Sequence, residues 1–338
     1  MKISIVVPCR NESKYIAECI DTIFKCDLPN NSELNVFIVD GMSDDGTRQI
    51  VLDLMENYPF LYLIDNLNLL TPYAFNLGIH AGGKVDYVQI VGARHILSNN
   101  YLVKSIQKIE NDSTVWCVGG KIINEFINTT GQVISKAMST SFGMGIGNFR
   151  TLNKSGFTDT VTSPMYPYWV FDKIGFFDEE LIRNQDDDFN YRIKQAGGKI
   201  FFDNELSLKY YVRGSYTSLS RQFFQYGYWK VFVNKKHKAV TTLRQLAPPF
   251  FVLYIGIWLI SLFGGKFIFM ISSIPLIGYL FLNFNFSLKA RDQKVKWFAI
   301  FKTYLILHSF YGLGYLKGVL DFFLLNKKPS NNQKRLSR

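Results

Sequence analysis

The chain has 338 residues, a net charge of +11, and 48% apolar against only 19% charged residues. That length allows a full core plus a smaller element, and the low charged share beside that apolar share is an unusually greasy balance for a soluble protein. Cys9, Cys19, Cys26 and Cys117 show no CxxC spacing and no paired framework, which excludes a disulfide scaffold and fits reduced packing residues in a cytosolic domain.

The basic charge is placed between and after apolar segments, at Lys289, Arg291, Lys294 and Lys296 and again at Lys327, Lys328, Lys334, Arg335 and Arg338. This is the pattern of juxtamembrane anchoring rather than of a nucleic-acid groove, so membrane lipid is an expected partner and nucleic acid is not. The opening "MKISIVVPCRNE" is too short in apolar residues for a signal peptide. The part before the first membrane segment is therefore expected to stay in the cytoplasm.

Four β-branched runs come first: Ile3 to Pro8, Asn35 to Asp40, Leu61 to Asp65 and Tyr87 to Gly92. Helical patterns lie between them, the clearest with Ile16, Ile20 and Ile23 on one face after possible caps at Asn11 or Ser13. Strands alternating with helices predict an α/β domain with a mostly parallel central sheet and ligands at the carboxyl ends of its strands. From Ser139 to Ser163 the chain is rich in Gly, Ser, Thr and Phe, either a plain connector or a mobile loop over a site. The run "NQDDDFNYRIKQAGG" then predicts a helix with Phe189, Ile193 and Ala196 toward the core and Gly197 and Gly198 ending it.

Ala247 to Gly264 is apolar over roughly 27 Å as a helix, and Phe267 to Leu288 is a second candidate span despite Pro275 and Asn283. Two spans return the chain to its starting side and put the basic run 289–296 with the N-terminal domain. Trp297 to Leu325 is interrupted by Lys302 and Lys317, and is expected to be an interfacial or re-entrant helix rather than a third span. The expected partition is a catalytic domain over 1–235 and a membrane-anchoring region over 236–338.

Two motifs fall at equivalent strand ends. In "VVPCRNE", proline stops the ladder and starts a turn, so Arg10, Asn11 and Glu12 project toward a ligand; a charged turn before a capped helix is the plainer account. In "VDGMSDDGT", Asp40 can accept from a base or ribose hydroxyl, Gly41 allows close backbone approach, and Ser43, Asp44, Asp45 and Thr47 can cap the next helix. Asp45 is open to either role, ligand or cap.

These two motifs, followed by "TPYAFNLGIHAGG", resemble the nucleotide-binding half of the family 2 glycosyltransferases, whose fold is the GT-A α/β domain. "NQDDDFNYRIKQAGGKI" is similar to that family's acceptor-side acidic motif, with Gln185 and Asp186 at its usual Glu-Asp positions. "RGSYTSLSRQFFQYGYWK" resembles the following segment in the succinoglycan-biosynthesis branch, which also ends in membrane helices. The resemblance implies that Pro8 shapes the first loop, that Glu12 and Asp40 contact the nucleoside, and that Asn76 approaches the sugar nucleotide.

Where that branch ends its fourth strand in an Asp-Ala-His-like signature that helps bind a divalent cation, this chain has Gly92, Ala93 and Arg94. Mg²⁺ or Mn²⁺ is thereby left uncertain. Departing diphosphate still needs positive charge, and Arg94 offers a bidentate clamp without metal. His95 is a weak candidate metal ligand and more in keeping with a surface or packed imidazole.

Displacement at an anomeric carbon needs a carboxylate to take the acceptor hydroxyl's proton. The resemblance assigns Asp186 as that base, with Asp187 second; successive helical side chains cannot all point one way, and near a helix N-terminus any of them can instead stabilise the dipole. Arg213, Arg221 and Gln222 can bind phosphate of donor or acceptor, while Tyr226 and Trp229 can stack on a sugar or sit at the membrane boundary; an amphipathic basic helix on headgroups explains the segment equally.

The expected activity is an inverting transfer from a nucleotide-diphosphate-sugar to an undecaprenyl-diphosphate-linked saccharide, at the cytoplasmic face of a bacterial inner membrane, in exopolysaccharide or capsule synthesis. The alternatives are a transferase using polyprenyl phosphate itself as acceptor and a non-catalytic sugar-nucleotide-binding membrane scaffold.

Overall fold

The computed structural model describes residues 1–146, 148–212 and 214–328. In chain order the elements are β1 (Lys2–Cys9), α1 (Ile16–Phe24), β2 (Glu33–Asp40), α2 (Thr47–Met55), β3 (Leu61–Asp65), α3 (Thr71–Gly82), β4 (Tyr87–Ile90), β5 (His95–Leu97), α4 (Tyr101–Asn111) and β6 (Val115–Phe126). They continue with α5 (Thr129–Met138), α6 (Ser141–Met144), β7 (Gly156–Phe157), β8 (Thr162–Pro167), α7 (Trp169–Ile174), α8 (Gln185–Gln195), β9 (Lys199–Val212) and α9 (Tyr216–His237). Last come α10 (Ala247–Ser261), α11 (Lys266–Ala290), α12 (Trp297–Gly318) and a π-helical turn, Val319–Leu324.

The described residues form two compact units, one of Met1–Glu125 and Leu152–Tyr211, the other of Phe126–Thr151 and the chain from Val212 onward. The first is an α/β unit with sheet order β3-β2-β1-β4-β8-β6-β9-β5, β7 pairing with β9. β1, β2, β3 and β4 pair in parallel, as the alternating strand and helix pattern predicts. Beyond them β8 runs antiparallel to both β4 and β6, so the sheet is mixed. Ile3, Ile5, Val7, Ile16, Ile20, Ile23, Val36 and Ile38 fill its core, the α1 residues being those whose spacing marked a buried face.

Pro8 does not end its strand. It stays in register with Val39, and β1 continues to Cys9 opposite Asp40. Val6 turns its backbone toward β4, where its carbonyl accepts from Val91, and Cys9 accepts from Gly41 on the other side. By alternation Pro8 faces the β4 side, where pairing ends at Val6 and Ile90, so its missing N–H breaks no ladder bond.

All four cysteines are buried and unpaired. Burial pushes the Cys19 and Cys26 thiols up to about 12, far from the thiolate that reacts with disulfides. The folded protein is therefore expected to resist a colorimetric thiol reagent at pH 8 and to release its thiols only on denaturation; rapid reaction of the native chain would contradict this burial.

In the second unit, Val133, Ile134 and Ala137 of α5 and Leu219 and Phe223 of α9 pack against Ile300, Tyr304 and Leu307 of α12. The Ser139–Ser163 stretch, which lacked periodicity, carries α6, whose Phe142 meets Phe286, Tyr304 and His308. Gly227 and Gly314 let α9 and α12 approach closely: a Cβ on Gly227 would strike the Tyr311 carbonyl, and one on Gly314 the Phe224 carbonyl.

Two helices, Leu243–Ser261 and Lys266–Ala290, are long and apolar enough to cross a membrane. Unlike soluble core helices they expose apolar side chains such as Phe250, Ile257, Phe267 and Ile274. A polar seam joins them, with Trp258 Nε1 donating to Ser273 Oγ at 3.0 Å and the Ser261 and Ser272 hydroxyls 2.7 Å apart. Asn283 donates to the Phe301 carbonyl of α12 at 3.3 Å, so the amide within α11 has a partner.

Candidate active site

Because the chain passes from β3 on one flank of β1 to β4 on the other, the carboxyl edge between β1 and β4 is the topological switch point of the sheet, the place where such folds bind ligands. The loops after β1 and β2 are stitched together there. Asn11 N donates to Ser43 Oγ at 2.8 Å, the Asn11 amide to Asp44 at 2.8 Å, and Glu12 N to Thr47 Oγ1 at 2.8 Å. Asn11 and Met42 both adopt left-handed backbone, which lets each loop double back on the other.

Asp40, expected to meet the nucleoside, is fully buried and already occupied. It accepts from Ser43 N at 2.9 Å, from the Ser43 hydroxyl, and from Arg48 Nη1 at 3.0 Å. The same Arg48 nitrogen reaches Asp65 at the end of β3 at 2.6 Å. Arg48 and Asp65 were missed in the sequence; the cue was that β2 and β3 each end in aspartate, in register with one another. Gly41 accommodates a close approach, that of the Arg10 side chain, whose Cδ would lie 3.2 Å from a Cβ there.

Asp45 acts as a cap. Its carboxylate takes the Thr47 amide at 3.0 Å and hydroxyl at 2.5 Å, and the Ser13 amide at 3.1 Å. Burial alone would raise its pKa, but the bonds from Thr47 and Ser13 outweigh it and hold the carboxyl at about 2. Its stabilising contribution is thus present above the ordinary value of 3.8 and disappears as pH falls through about 2.

Asn76 bonds both ways with Phe177, donating to its carbonyl at 2.9 Å and accepting from its amide at 3.0 Å, and also donates to Glu179 at 2.9 Å. In this conformation it ties the loop after α7 to α3. The acidic triplet divides as helix geometry requires: Asp188, 3% exposed, accepts from Arg192 at 2.8 and 3.0 Å, while Asp186 is exposed and Asp187 half-buried. Arg192 also reaches the carbonyls of Ile174 and Phe176, clamping α8 to the loop after α7.

At the end of β4, Gly92 N donates to His95 Nδ1 at 3.2 Å, and that nitrogen lies 2.6 Å from Ser163 Oγ. His95 is thus a packed imidazole, edge-on to Tyr210. Arg94 Nε donates to Glu12 Oε2 at 2.6 Å, and its guanidinium lies 4.8 Å from the centre of the Tyr15 ring. Two residues expected to serve the donor separately are therefore each other's partners. Among the described residues no group of three or more His, Cys, Asp or Glu is placed to hold a metal ion.

Of the residues expected at the acceptor, Arg213 lies outside those described, and the others belong to the helical unit. Arg221 is exposed, and Gln222 donates to the Tyr226 hydroxyl at 2.7 Å. Trp229 is only 1% exposed, its ring among Phe232 and Phe322, and presents no face to a ligand in this conformation.

The model of glycosyl transferase family 2 matches residues 4–174. The chain belongs to that family. It is similar over 332 residues, at 26% identity, to a dolichyl N-acetyl-α-D-glucosaminyl phosphate 3-β-D-2,3-diacetamido-2,3-dideoxy-β-D-glucuronosyltransferase of Methanococcus voltae, covering 94% of this chain and 97% of that one. It is 28% identical over 248 residues to the succinoglycan biosynthesis protein ExoA of Rhizobium meliloti, covering 72% and 73%. In fold it is similar to a mannosyltransferase from Pyrobaculum calidifontis solved with GDP-Man and Mn²⁺, with a TM-score of 0.66 at 16% identity over 94% of this chain and 86% of that one. The family 2 membership makes this chain a glycosyltransferase, and its α/β unit a GT-A-like domain.

Proposed function

We propose that this family 2 glycosyltransferase transfers a sugar with inversion from a nucleotide-diphosphate-sugar to a saccharide carried on a polyprenyl diphosphate, undecaprenyl in a bacterial host. The acceptor hydroxyl attacks the anomeric carbon as the bond to the diphosphate breaks. Asp186 takes the hydroxyl proton, and the nucleoside diphosphate leaves with the bonding electrons. The observation that carries this reading is the division of the acidic triplet: Arg192 claims the buried Asp188, which leaves Asp186 as the exposed carboxylate of the first turn.

The lipid-linked acceptor is supported by the two exposed apolar helices and by the near full-length likeness to a transferase whose acceptor is dolichyl-linked. Anchoring raises the effective concentration of enzyme at a lipid-held acceptor. With the spans near 247–264 and 267–288 forming a hairpin, the domain over 1–235 and the basic run 289–296 share the cytoplasmic side of the inner membrane, and 297–325 stays there with them.

Membranes containing the chain, given a panel of nucleotide sugars and lipid-linked acceptor extract, are expected to incorporate sugar into solvent-extractable lipid. Tight nucleotide-sugar binding without turnover across every acceptor would support the scaffold reading instead.

A further inference from the structure

The end of β4 is packed around an imidazole. A Cβ on Gly92 would stand 3.0 Å from His95 Cε1 and 3.2 Å from both ring nitrogens, so an acidic side chain at 92 and this histidine position compete for one space. The Gly92 amide is a donor, so His95 Nδ1 carries no proton, and the Ser163 hydroxyl donates to it as well. Its lone pair is spent inside the protein and is not offered to a cation. With no carboxylate at position 92 and the His95 lone pair already taken, residues 92–95 do not offer the side-chain ligand that a diphosphate-bridging divalent metal needs from the protein.

Arg94 stands two residues from Gly92 at the same sheet edge, and its side chain is 19% exposed. Glu12 takes only Nε, and the Arg94 guanidinium carbon lies over the Tyr15 ring, 4.8 Å from its centre. The Nη1–Nη2 edge makes no hydrogen bond among the described residues. A guanidinium bonded at Nε and packed over a ring is restrained while its Nη1–Nη2 edge stays available, and that edge can donate to two phosphate oxygens bidentately. Glu12 also balances the charge before a ligand arrives, so the cation is not left uncompensated in a half-buried position.

We propose that this glycosyltransferase binds the diphosphate of its donor through the outer edge of Arg94 with no bridging divalent cation, Glu12 and Tyr15 being positioning residues and His95 with Ser163 filling the place of the metal ligand. This rests on the donor being a nucleotide-diphosphate-sugar.

The test is calorimetric titration of the full chain in detergent with UDP, GDP, ADP and dTDP, each in excess chelator and again with Mg²⁺ or Mn²⁺. The best-bound nucleotide is expected to have the same Kd in chelator as in metal, and Arg94→Ala to weaken it about 10- to 100-fold, the loss of charge-assisted bonds to phosphate. Should Arg94→Ala unfold, Arg94→Lys keeps the charge without the fork and is still expected to bind more weakly than wild type. Gly92→Asp is expected to gain a Mn²⁺ response only when combined with His95→Ala. Binding that requires metal and is lost in chelator overturns the inference while leaving the transferase reading intact, as does an Arg94→Ala chain that binds as wild type. Failure of every nucleotide to bind in either condition overturns both.

Discussion

Replacing Asp186 by asparagine is expected to slow transfer to a hydroxyl acceptor by about 10²- to 10⁴-fold, the usual contribution of a positioned general base. Asp186 and Asp188 are about 200° apart around α8 at 100° per residue. One is therefore committed to the interior, where Arg192 holds it, and the other to the exposed side. The amide preserves shape and donor affinity but cannot take a proton, so the loss should appear in kcat and leave the Kd for nucleotide unchanged. Asp188→Asn offers the control: it weakens the bond to Arg192 and with it the clamp on Ile174 and Phe176, so it should lower the melting temperature. If Asp186→Asn transfers at nearly the wild-type rate and Asp187→Asn does too, the nucleophile is already anionic and the polyprenyl-phosphate reading replaces the saccharide one; loss in Asp187→Asn alone moves the base to Asp187.

Asp40→Ala is expected to destabilise the α/β unit by about 2–4 kcal/mol, read from denaturant unfolding. The carboxylate is fully buried, and removing it strands the Ser43 amide and hydroxyl and one contact of Arg48 at once. The cost is moderated because Arg48 is a third exposed and keeps Asp65. Donor binding should fall in the folded fraction as well, since Ser43 in turn receives Asn11 and so fixes the loop that carries Glu12. A variant with wild-type stability and nucleotide affinity would show that the two loops hold one another without Asp40.

Local chemistry made the strand-end loops readable. Turn and cap residues between 8 and 47 act on neighbours a few positions away, and the β1 to β4 alternation follows from side-chain pattern alone. What escaped were pairings between residues far apart in the chain: 82 positions separate Glu12 from Arg94, 68 separate His95 from Ser163, and 101 separate Asn76 from Phe177. Each residue type suggested a ligand, and each found a protein partner that no local pattern encodes. The 126–151 excursion was opaque for the same reason. Its Thr140 hydroxyl and Phe142 ring meet Tyr304, 164 positions beyond Thr140, and until that residue is placed the segment looks like unpatterned linker.

That excursion bears on how such a protein can be inherited. The chain passes from one compact unit to the other three times, at 125–126, 151–152 and 211–212. A gene fusion with a single junction cannot exchange the helical part for another, because α5 and α6 would stay behind and lose Ile300, Tyr304 and Leu307, the side chains that cover Val133, Ile134 and Ala137. Exchanging the whole helical unit takes three junctions, at 125–126, 151–152 and 211–212. The likeness to the Methanococcus voltae relative covers 94% of this chain and so takes in both units.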